Sequence, residues 1–290
     1  MNPMRIDLHT HSSVSDGTDS PTELVEHAAE SGLDVIALTD HDTFDGLDAA
    51  EAAGRRLGVE VLRGIEISTQ RSGWSVHLLG YGCRVGDAGL EAELARVREG
   101  RSGRVETMLA RLAARGMPIP AEVLYRHVGD SPSVGRPHFA DAMIELGYVA
   151  DRTEAFDTWL ADDKPVFVPR YAIPVGLAVS LVRAAGGVAV LAHPWGRGSR
   201  GNLSVDVLAD LARHGLDGIE VDHQDHDPAT RAELRVLARR LGLLATGSSD
   251  YHGTGKVDHE LGCNTTPGPV LDASRARVAE RDGLLSAEPR

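Results

Sequence analysis

Short apolar and β-branched runs alternate along the chain with segments in which apolar residues recur every three to four positions. The short runs are typical of buried strands, and the longer period is typical of amphipathic helices. Their alternation predicts β–α units around a mostly parallel sheet. The predicted strands are residues 5–9, 34–39, 59–67, 74–81, 188–193, 218–221 and 243–246. A length of 290 residues accommodates either two domains or one α/β barrel with an insertion.

Helices are predicted between most of these strands. Ser20 and Glu23 have the spacing of a capping box, so a helix is expected to begin directly after Ser20. Further helices are predicted over 46–57, 204–214 and 228–241. Glycines stand where C-terminal caps belong, at Gly32, Gly58, Gly215 and Gly242.

Residues 90–170 break the alternation, because helical patterns follow one another there without a convincing buried strand. Helices are predicted over 90–115, 121–127, 136–146 and 151–161. We therefore predict a barrel made of residues 1–89 and 171–290, with an inserted helical substrate-recognition module at 90–170. The last dozen residues, which end at Arg290, are predicted to form a loose tail.

Composition narrows the class of protein. Hydrophobic residues make up 42% of the chain, charged residues 25%, and the mean hydropathy is -0.18, which is ordinary for a globular protein. No run approaches the roughly 18 apolar residues of a membrane span, and Arg5 and Asp7 interrupt any signal-peptide core. We expect a cytoplasmic protein without a membrane partner.

Charge and cysteine content limit the ligands. The net charge of -13 opposes non-specific binding to a nucleic-acid backbone, so no stable DNA complex is expected. Cys83 and Cys263 are too few for a disulfide scaffold or a thiolate zinc site. Any bound metal would therefore be held by His, Asp and Glu.

Thirteen histidines are present, and their positions indicate the chemistry. Each predicted strand carries a histidine or a carboxylate near its end, and the C-terminal strand ends form the functional rim of a β–α barrel. His9 and His11 lie two apart on one strand, so both project from the same side. Converging carboxylates repel one another unless cations are bound, and imidazole with carboxylate suits zinc, manganese or iron. The pattern predicts a metal cluster on the rim.

Several motifs between about residues 4 and 255 resemble those of the PHP (polymerase and histidinol phosphatase) family. They are Asp7-Leu8-His9-Thr10-His11-Ser12, Thr39-Asp40-His41-Asp42, Gly64-Ile65-Glu66, His77, His193-Pro194 and Ser249-Asp250-Tyr251-His252-Gly253. The resemblance implies an α/β fold, a distorted seven-stranded TIM-like barrel that holds two or three divalent ions (Mn, Zn or Fe).

The resemblance also implies three ligand sets, carried over position by position. The sets are His9, His11, Glu66 and Asp250; Glu66, His77 and His193; and Asp16, His41 and His252. Asp16 stands where many members of the family have histidine, so the third set departs from the usual pattern.

The helical block carries a second resemblance. Its segments Ser133-Val134-Gly135-Arg136-Pro137-His138-Phe139-Ala140 and Glu145-Leu146-Gly147-Tyr148-Val149 are similar to the insert of PHP nucleotide phosphatases. The guanidinium group of Arg136 is predicted to donate two hydrogen bonds to one phosphate, and His138 is predicted to hydrogen-bond another phosphate oxygen. The alternative is that Arg136 pairs with a carboxylate at a helix start. Lys164 and Arg170 are further candidates for phosphate binding.

Two histidines are candidates for a catalytic role, and most of those outside the motifs are not. His193 and His223 are candidates for assisting the leaving oxygen, although capping and solvation of the next helix explain His223 about equally well. The others, apart from His226 beside His223, are predicted to be ordinary surface residues: His27, His127, His214 and His259.

The resemblance implies a phosphoesterase in which metal-activated water attacks phosphorus. The predicted reaction is removal of the 3'-phosphate from nucleoside 3',5'-bisphosphates, with 5'-to-3' trimming of short RNA as a related activity, so the expected partners are small nucleotides and short RNA. The first alternative is a phosphatase for histidinol phosphate or another small phosphomonoester. The second is a metal-stabilised PHP module without catalysis, because a fold does not fix a function.

Overall fold

The computed structural model describes residues 3–129, 131–162 and 164–286. Within them the strands are β1 Ile6–Thr10, β2 Val35–Leu38, β3 Glu60–Arg71, β4 Trp74–Tyr81, β5 Ile173–Pro174, β6 Val188–Leu191, β7 Gly218–Asp222 and β8 Leu244–Gly247. All but β5 correspond to predicted strands. β5 is a two-residue strand that pairs with β3.

The helices alternate with the strands outside the block that follows β4. They are α1 Pro21–Glu30, α2 Leu47–Leu57, α3 Ala88–Ser102, α4 Val105–Ala113, α5 Ala121–Val128, α6 Arg136–Glu145, α7 Arg152–Ala155, α8 Val175–Ala184, α9 Val205–Arg213, α10 Pro228–Leu241 and α11 Gly268–Ser286. A π-helix, Phe156–Leu160, continues α7, and a 3-10 helix occupies Gly196–Gly201. The capping box of Ser20 and Glu23 is confirmed at the start of α1. None of the described helices is long and apolar enough to cross a membrane.

The sheet curls into a nearly closed barrel. Its strand order is β1-β2-β3-β4-β6-β7-β8. The two ends of this order meet where the His11 N–H donates to the Tyr251 carbonyl at 2.9 Å. The predicted seven-stranded α/β barrel is therefore confirmed.

One strand departs from the parallel arrangement. β4 runs antiparallel to both β3 and β6. It forms a hairpin with β3 through Ser72 and Gly73, whose φ values of 52 and 85 degrees suit a two-residue turn between twisted strands. The start of β4, and not its end, therefore lies beside the C-terminal ends of its neighbours. This reversal places His77, near the start of β4, at the rim.

The barrel and the insert have separate apolar cores. Ile6, Leu8 and Leu79 belong to a cluster contributed by the barrel strands. Residues of α4 to α7 form another cluster, in which Met108 and Phe139 are fully buried. The apolar residues of α3 pack instead with β3, β4 and α8 of the barrel. The boundary at residue 90 stays a prediction, although the core of the insert begins only at α4.

Two predicted segments differ from the structure. The helix predicted over 90–115 is divided into α3 and α4, with Gly103 and Arg104 between them. The division lets α3 cover the barrel while α4 joins the insert core. The predicted loose tail is helical as far as Ser286, because α11 packs on the barrel strands through Leu271. Residues 287–290 of that tail lie outside the described residues.

Candidate metal centre

Backbone pairing places the candidate ligands of separate strands side by side. His41, just after β2, forms a bridge with Glu66 of β3, and Thr10 of β1 pairs with Tyr251, which follows Asp250. The ends of β1, β2 and β8 and the middle of β3 therefore converge on one rim of the barrel. Every histidine and carboxylate of the three predicted ligand sets lies there.

The first group consists of His9, His11, Glu66 and Asp250, all of them buried. Nε2 of His9 lies 3.0 Å from Nε2 of His11, 3.2 Å from Glu66 Oε2 and 3.4 Å from Asp250 Oδ1. Nε2 of His11 lies 3.1 Å and 3.5 Å from the same two oxygens. The structure thus brings together all four members of the first predicted set.

The second group uses the other oxygen of Glu66. Glu66 Oε1 lies 2.8 Å from His77 Nδ1 and 3.5 Å from His193 Nε2. Nδ1 of His41 approaches Glu66 Oε2 at 3.2 Å. The second predicted set is brought together, and His41 is an additional neighbour of it.

The third group surrounds Asp16. Oδ1 of Asp16 lies 3.3 Å from His252 Nε2, and its Oδ2 lies 3.6 Å from His41 Nε2. His11 joins these three residues, because all four offer a ligand atom within 4.8 Å of one another. The third predicted set is therefore brought together, and it shares His11 with the first.

The distances and contacts of these donors fit divalent cations. His41 Nδ1 and Glu66 Oε1 are buried without a hydrogen-bond partner. Each lies near an atom of another candidate ligand, His41 Nδ1 near Glu66 Oε2 and Glu66 Oε1 near His77 Nδ1. Two ligand atoms about 2.0–2.2 Å from one ion lie roughly 3.0–3.5 Å apart in common coordination geometries. The donor separations of 2.8 to 3.5 Å in the first two groups are close to that range. The carboxylates and imidazoles can therefore share ions.

Hydrogen bonds at the edge of the centre orient two imidazole rings. His9 Nδ1 lies 3.3 Å from Glu220 Oε1, and His252 Nδ1 donates to the Asp250 carbonyl at 2.9 Å. The neutral tautomers selected by these bonds point the Nε2 lone pair at the centre. Glu220, fully buried, thus contacts the centre although it is not among the predicted site residues. Its position at the end of a predicted strand was the available signal.

The charges in the centre are strongly coupled. Burial alone would raise the pKa of Glu66, but the imidazoles of His41, His77 and His9 hold it well below its ordinary value. Burial lowers the pKa of His41 to about 3, which favours a neutral ring. His11 behaves differently: burial lowers its pKa, but Asp250 and Glu66 outweigh burial and raise the pKa to about 9. Because a metal binds the neutral imidazole, cation binding at His11 would release a proton.

Similarity to known proteins agrees with this site. Residues 7–99 match the model of the PHP domain. A 3',5'-nucleoside bisphosphate phosphatase of Chromobacterium violaceum is 35% identical over 258 residues, which cover 89% of this chain and 90% of that protein. This chain belongs to the PHP family. The resemblance read from the motifs is therefore confirmed.

Two further PHP relatives differ in the substrates that their names give. A 5'-3' exoribonuclease of Haemophilus influenzae is 32% identical over 86% of this chain and 90% of its own length. A phosphoribosyl 1,2-cyclic phosphate 1,2-diphosphodiesterase of Eggerthella lenta is 38% identical over 87% of this chain and 96% of its own length. All three names describe cleavage of a phosphate ester.

A solved PHP structure extends the similarity to the fold. A protein of Bifidobacterium adolescentis described as a metal-dependent phosphoesterase superposes with a TM-score of 0.89 and 34% identity, over 95% of this chain and 98% of that one. The fold, the clustered donors and the relatives identify this PHP protein as a metal-dependent phosphoesterase.

Not every carboxylate at a PHP strand end reaches the centre. Asp222 instead accepts two 2.5 Å hydrogen bonds from Arg235 of α10. Asp42 pairs with Arg101 of α3 at 2.6 Å. Some carboxylates at the strand ends therefore neutralise arginines of the surrounding helices, while Glu220 and His41 of the same strand ends lie beside the donor groups.

His223 and His259 lie close to Asp250, because each of the three offers an atom within 4.8 Å of the other two. The Asp225 N–H donates to His223 Nδ1 at 3.0 Å, so the neutral ring carries its proton on Nε2, 3.2 Å from Asp250 Oδ2. His223 is fully buried, and its catalytic role stays a prediction. The prediction that His259 is a surface residue is wrong, because the loop after β8 folds back and buries it 5.7 Å from the His223 ring.

Three residues of the rim have left-handed backbone conformations that non-glycine residues rarely adopt. The φ angles are 58 degrees at Asp42, 28 degrees at His193 and 55 degrees at Asp250. Such strain is concentrated at functional sites in proteins. A 2.8 Å hydrogen bond from the His193 N–H to Glu220 Oε2 holds one of them in place.

The insert contacts the loop that carries Asp16. The Gly135 N–H donates to His138 Nδ1 at 3.0 Å, so His138 Nε2 carries the proton that it donates to the Ser15 carbonyl at 2.8 Å. Arg152 donates to the Asp16 carbonyl at 3.2 Å. Both ring nitrogens of His138 are therefore occupied, and the predicted bond to phosphate would require exchanging one of these partners.

The other predicted phosphate-binding residues lie on or after the insert. Arg136 donates to Asp162 Oδ1 at 2.7 Å and to the Leu160 carbonyl at 3.0 Å. This is the carboxylate pairing that the sequence left open. Arg170 donates to the Tyr171 carbonyl at 2.9 Å, and the Lys164 side chain forms no ion pair with a described residue. Their roles stay predictions.

Proposed function

We propose that this PHP protein removes the 3'-phosphate from nucleoside 3',5'-bisphosphates and leaves the nucleoside 5'-monophosphate. The Chromobacterium violaceum relative, whose name gives this substrate, supports the proposal over nearly its whole length. The observation that carries the reaction is Glu66, because its two buried oxygens face two different groups of imidazoles. A carboxylate placed in this way can bridge two cations.

We propose two or three divalent ions, Mn, Zn or Fe, at the three donor groups. His9, His11, Glu66 and Asp250 would hold one, and Glu66 with His77 would hold the second. Asp16, His41 and His252 would hold the third. Divalent cations at such donors neutralise phosphoryl oxygens and make a water molecule more acidic.

The reaction requires one proton to reach the leaving oxygen. The oxygen of water forms a bond to phosphorus and loses a proton, the bond from phosphorus to O3' breaks, and O3' takes up a proton as the nucleoside 5'-monophosphate leaves. His193 is partly exposed at the rim whereas His223 is fully buried, so of the two predicted residues only His193 can touch a substrate. If His193 Nε2 supplies the proton, it does not ligate a cation in that step, and the second group retains Glu66 and His77.

His223 is assigned a positioning role. Its Nε2 proton faces Asp250 Oδ2, while Oδ1 of the same carboxylate faces His9 and His11. His223 would therefore orient Asp250 without contacting the substrate.

The same arrangement accommodates related phosphodiesters. In a short RNA with a 5'-phosphate, the first phosphodiester takes the place of the 3'-phosphate, and the Haemophilus influenzae relative supports this activity. A cyclic phosphodiester is a second candidate, because the Eggerthella lenta relative is 38% identical. A small phosphomonoester such as histidinol phosphate has no second phosphate and would leave any phosphate-binding residue of the insert unused.

Product analysis tests the substrate and the position of cleavage. Metal-loaded protein is incubated with adenosine 3',5'-bisphosphate, 5'-phosphorylated trinucleotide RNA, a phosphoribosyl cyclic phosphate and histidinol phosphate, and products are followed by phosphorus NMR. We expect inorganic phosphate and adenosine 5'-monophosphate from the bisphosphate, with the highest kcat/KM for it or the RNA. Release of adenosine 3'-monophosphate, or faster turnover of the cyclic phosphate or histidinol phosphate, would contradict the proposal.

A further inference from the structure

Two neighbouring backbone carbonyls of the loop after β1 accept hydrogen bonds from the insert. The Ser15 carbonyl accepts one from His138 Nε2 at 2.8 Å, and the Asp16 carbonyl accepts one from Arg152 Nη1 at 3.2 Å. His138 lies on α6, and Arg152 is the first residue of α7. The insert therefore holds the backbone of the residue that supplies the carboxylate of the third group.

The guanidinium group of Arg152 is fixed by Asp141 of α6. Its Nε donates to Asp141 Oδ1 and its Nη2 donates to Asp141 Oδ2, both at 2.6 Å. Because a bidentate pair fixes the plane of the guanidinium, the remaining nitrogen, Nη1, is directed at the Asp16 carbonyl. His138 and Asp141 are three residues apart on α6 and share one face of that helix. One face of α6 therefore positions both donors of the insert.

Arg152 also packs against the loop that carries His252. A Cβ added to Gly255 would stand 2.6 Å from Arg152 Cζ, so the guanidinium lies directly on the backbone of that loop. The two loops contact each other as well, because the Thr18 N–H donates to the His252 carbonyl at 3.2 Å. Arg152 thus covers the junction of the loops that supply Asp16 and His252.

The charge of Arg152 does not oppose a cation at the third group. Asp141 pairs with the guanidinium, which meets Asp16 at the carbonyl and not at the carboxylate. The carboxylate oxygens of Asp16 face imidazoles instead, Oδ1 at 3.3 Å from His252 Nε2 and Oδ2 at 3.6 Å from His41 Nε2. Because Arg152 and Asp141 together carry no net charge, we expect the pair to act on this group through the position of the backbone.

We infer that Arg152 is a positioning residue that fixes the loops of Asp16 and His252 and thereby sets the affinity of the third group for its cation. Ligands bind one ion together only while their supporting contacts hold them at the required separation. Loss of a contact that supports a metal ligand typically lowers metal affinity by about 10- to 100-fold. The inference deepens the proposed function and rests on it for the presence of a third cation. It makes the insert a support of the metal centre.

Titration of chelator-treated protein with manganese alone, followed by isothermal titration calorimetry, tests this role. We expect the wild type to bind three equivalents. Replacing the whole pair, Arg152→Met with Asp141→Asn, leaves the net charge unchanged and should raise the Kd of one equivalent about 10- to 100-fold without changing the other two. Arg126→Met with Glu145→Gln removes another arginine–carboxylate pair of the insert. This matched control should bind manganese as the wild type does.

Asp16→Ala assigns the affected equivalent, because it removes a ligand of the third group directly. It should lose the same equivalent as the pair replacement. Adding the pair replacement to Asp16→Ala should then leave the two remaining Kd values unchanged, since both changes act on one group. Arg152→Lys keeps the charge but lacks the planar fork that reaches Asp141 and the Asp16 carbonyl together. We expect an intermediate Kd for it, and this variant provides the measurement if the pair replacement does not fold.

The outcomes separate this role from the proposed function. Unchanged Kd values in the pair replacement and in Arg152→Lys would overturn the inference, and so would an equal rise for all three equivalents, since Arg152 would then support the fold in general. Two equivalents in the wild type would also overturn it, without contradicting hydrolysis by a centre of two ions. If the third equivalent depends on Arg152 while the wild type does not hydrolyse adenosine 3',5'-bisphosphate, the inference stands and the proposed function fails.

Discussion

The metal centre is a buried group of ionisable side chains, and it contrasts with four arginines at the junction with the insert: Arg101 and Arg104, which are buried, and Arg136 and Arg170, which are partly exposed. At the rim, His9 Nε2 lies 3.2 Å from a Glu66 oxygen and 3.0 Å from His11 Nε2. At the junction, the carboxylates of Asp42 and Asp162 act on the guanidinium groups. Since uncompensated buried charge is costly, the donor groups of the rim favour a cation, whereas the arginines already have carboxylates close to them.

The two groups also differ in how the fold supports them. The rim is held by strand pairing and by buried carboxylates such as Glu220, which hydrogen-bonds the His193 N–H. The insert has its own core and reaches the rim through a few side chains, including His138 and Arg152. The donor groups therefore lie on the barrel, and the insert approaches them through these side chains.

The strongest test of this contrast compares two carboxylates of the centre. Glu66→Gln removes the shared ligand of two donor groups and should lower kcat/KM by roughly 10³-fold, the equivalent of about 4 kcal/mol. Asp16→Ala affects only the third group and should lower it by about 10- to 100-fold. Steady-state kinetics with excess Mn, together with metal analysis of each variant, measures the difference. Equal losses, or the reverse order, would show that Glu66 is not a bridge.

Metal removal should act on stability as well as on activity. We expect at least two metal equivalents after purification without chelators, and a lower Tm after EDTA treatment, because the facing donors lose their counter-charge. A metal present at 100 times its Kd contributes about 2.7 kcal/mol to the free energy of unfolding. Elemental analysis and thermal unfolding with and without added Mn or Zn provide the measurement. Less than one equivalent, with no recovery of Tm or activity on adding metal, would contradict a cation-binding rim.

The smallest expected effect concerns Arg136. Because Asp162 already pairs with it at 2.7 Å, Arg136→Ala should lower kcat/KM for adenosine 3',5'-bisphosphate by at most about fivefold, the value of a partly exposed ion pair of about 1 kcal/mol. A larger loss in Arg136→Ala, restricted to the bisphosphate, would assign a phosphate-binding role to Arg136 as the sequence motif predicts.

Much of the fold and of the centre could be predicted because the signals are local. A strand is defined by a short apolar run, and the residue after it lies near the rim when the strand runs parallel to its neighbours, as the barrel strands other than β4 do. His9, His41 and Asp250 belong to short motifs of this kind, and the structure places them together as expected. The division between α3 and α4 was missed because helical periodicity continues across Gly103 although the two helices pack on different cores.

By itself, the sequence determined the seven barrel strands, the capping box of α1 and the residues that make up the three donor groups, because these depend on periodicity and short motifs. Tertiary structure alone decided the contacts between distant residues. It brought Glu220 to His9 across 211 positions, reversed β4 so that His77 reaches the rim, buried His259, and paired Arg136 with Asp162. The physical reason is that a charge acts through space, so its effect depends on neighbours that the order of residues does not specify.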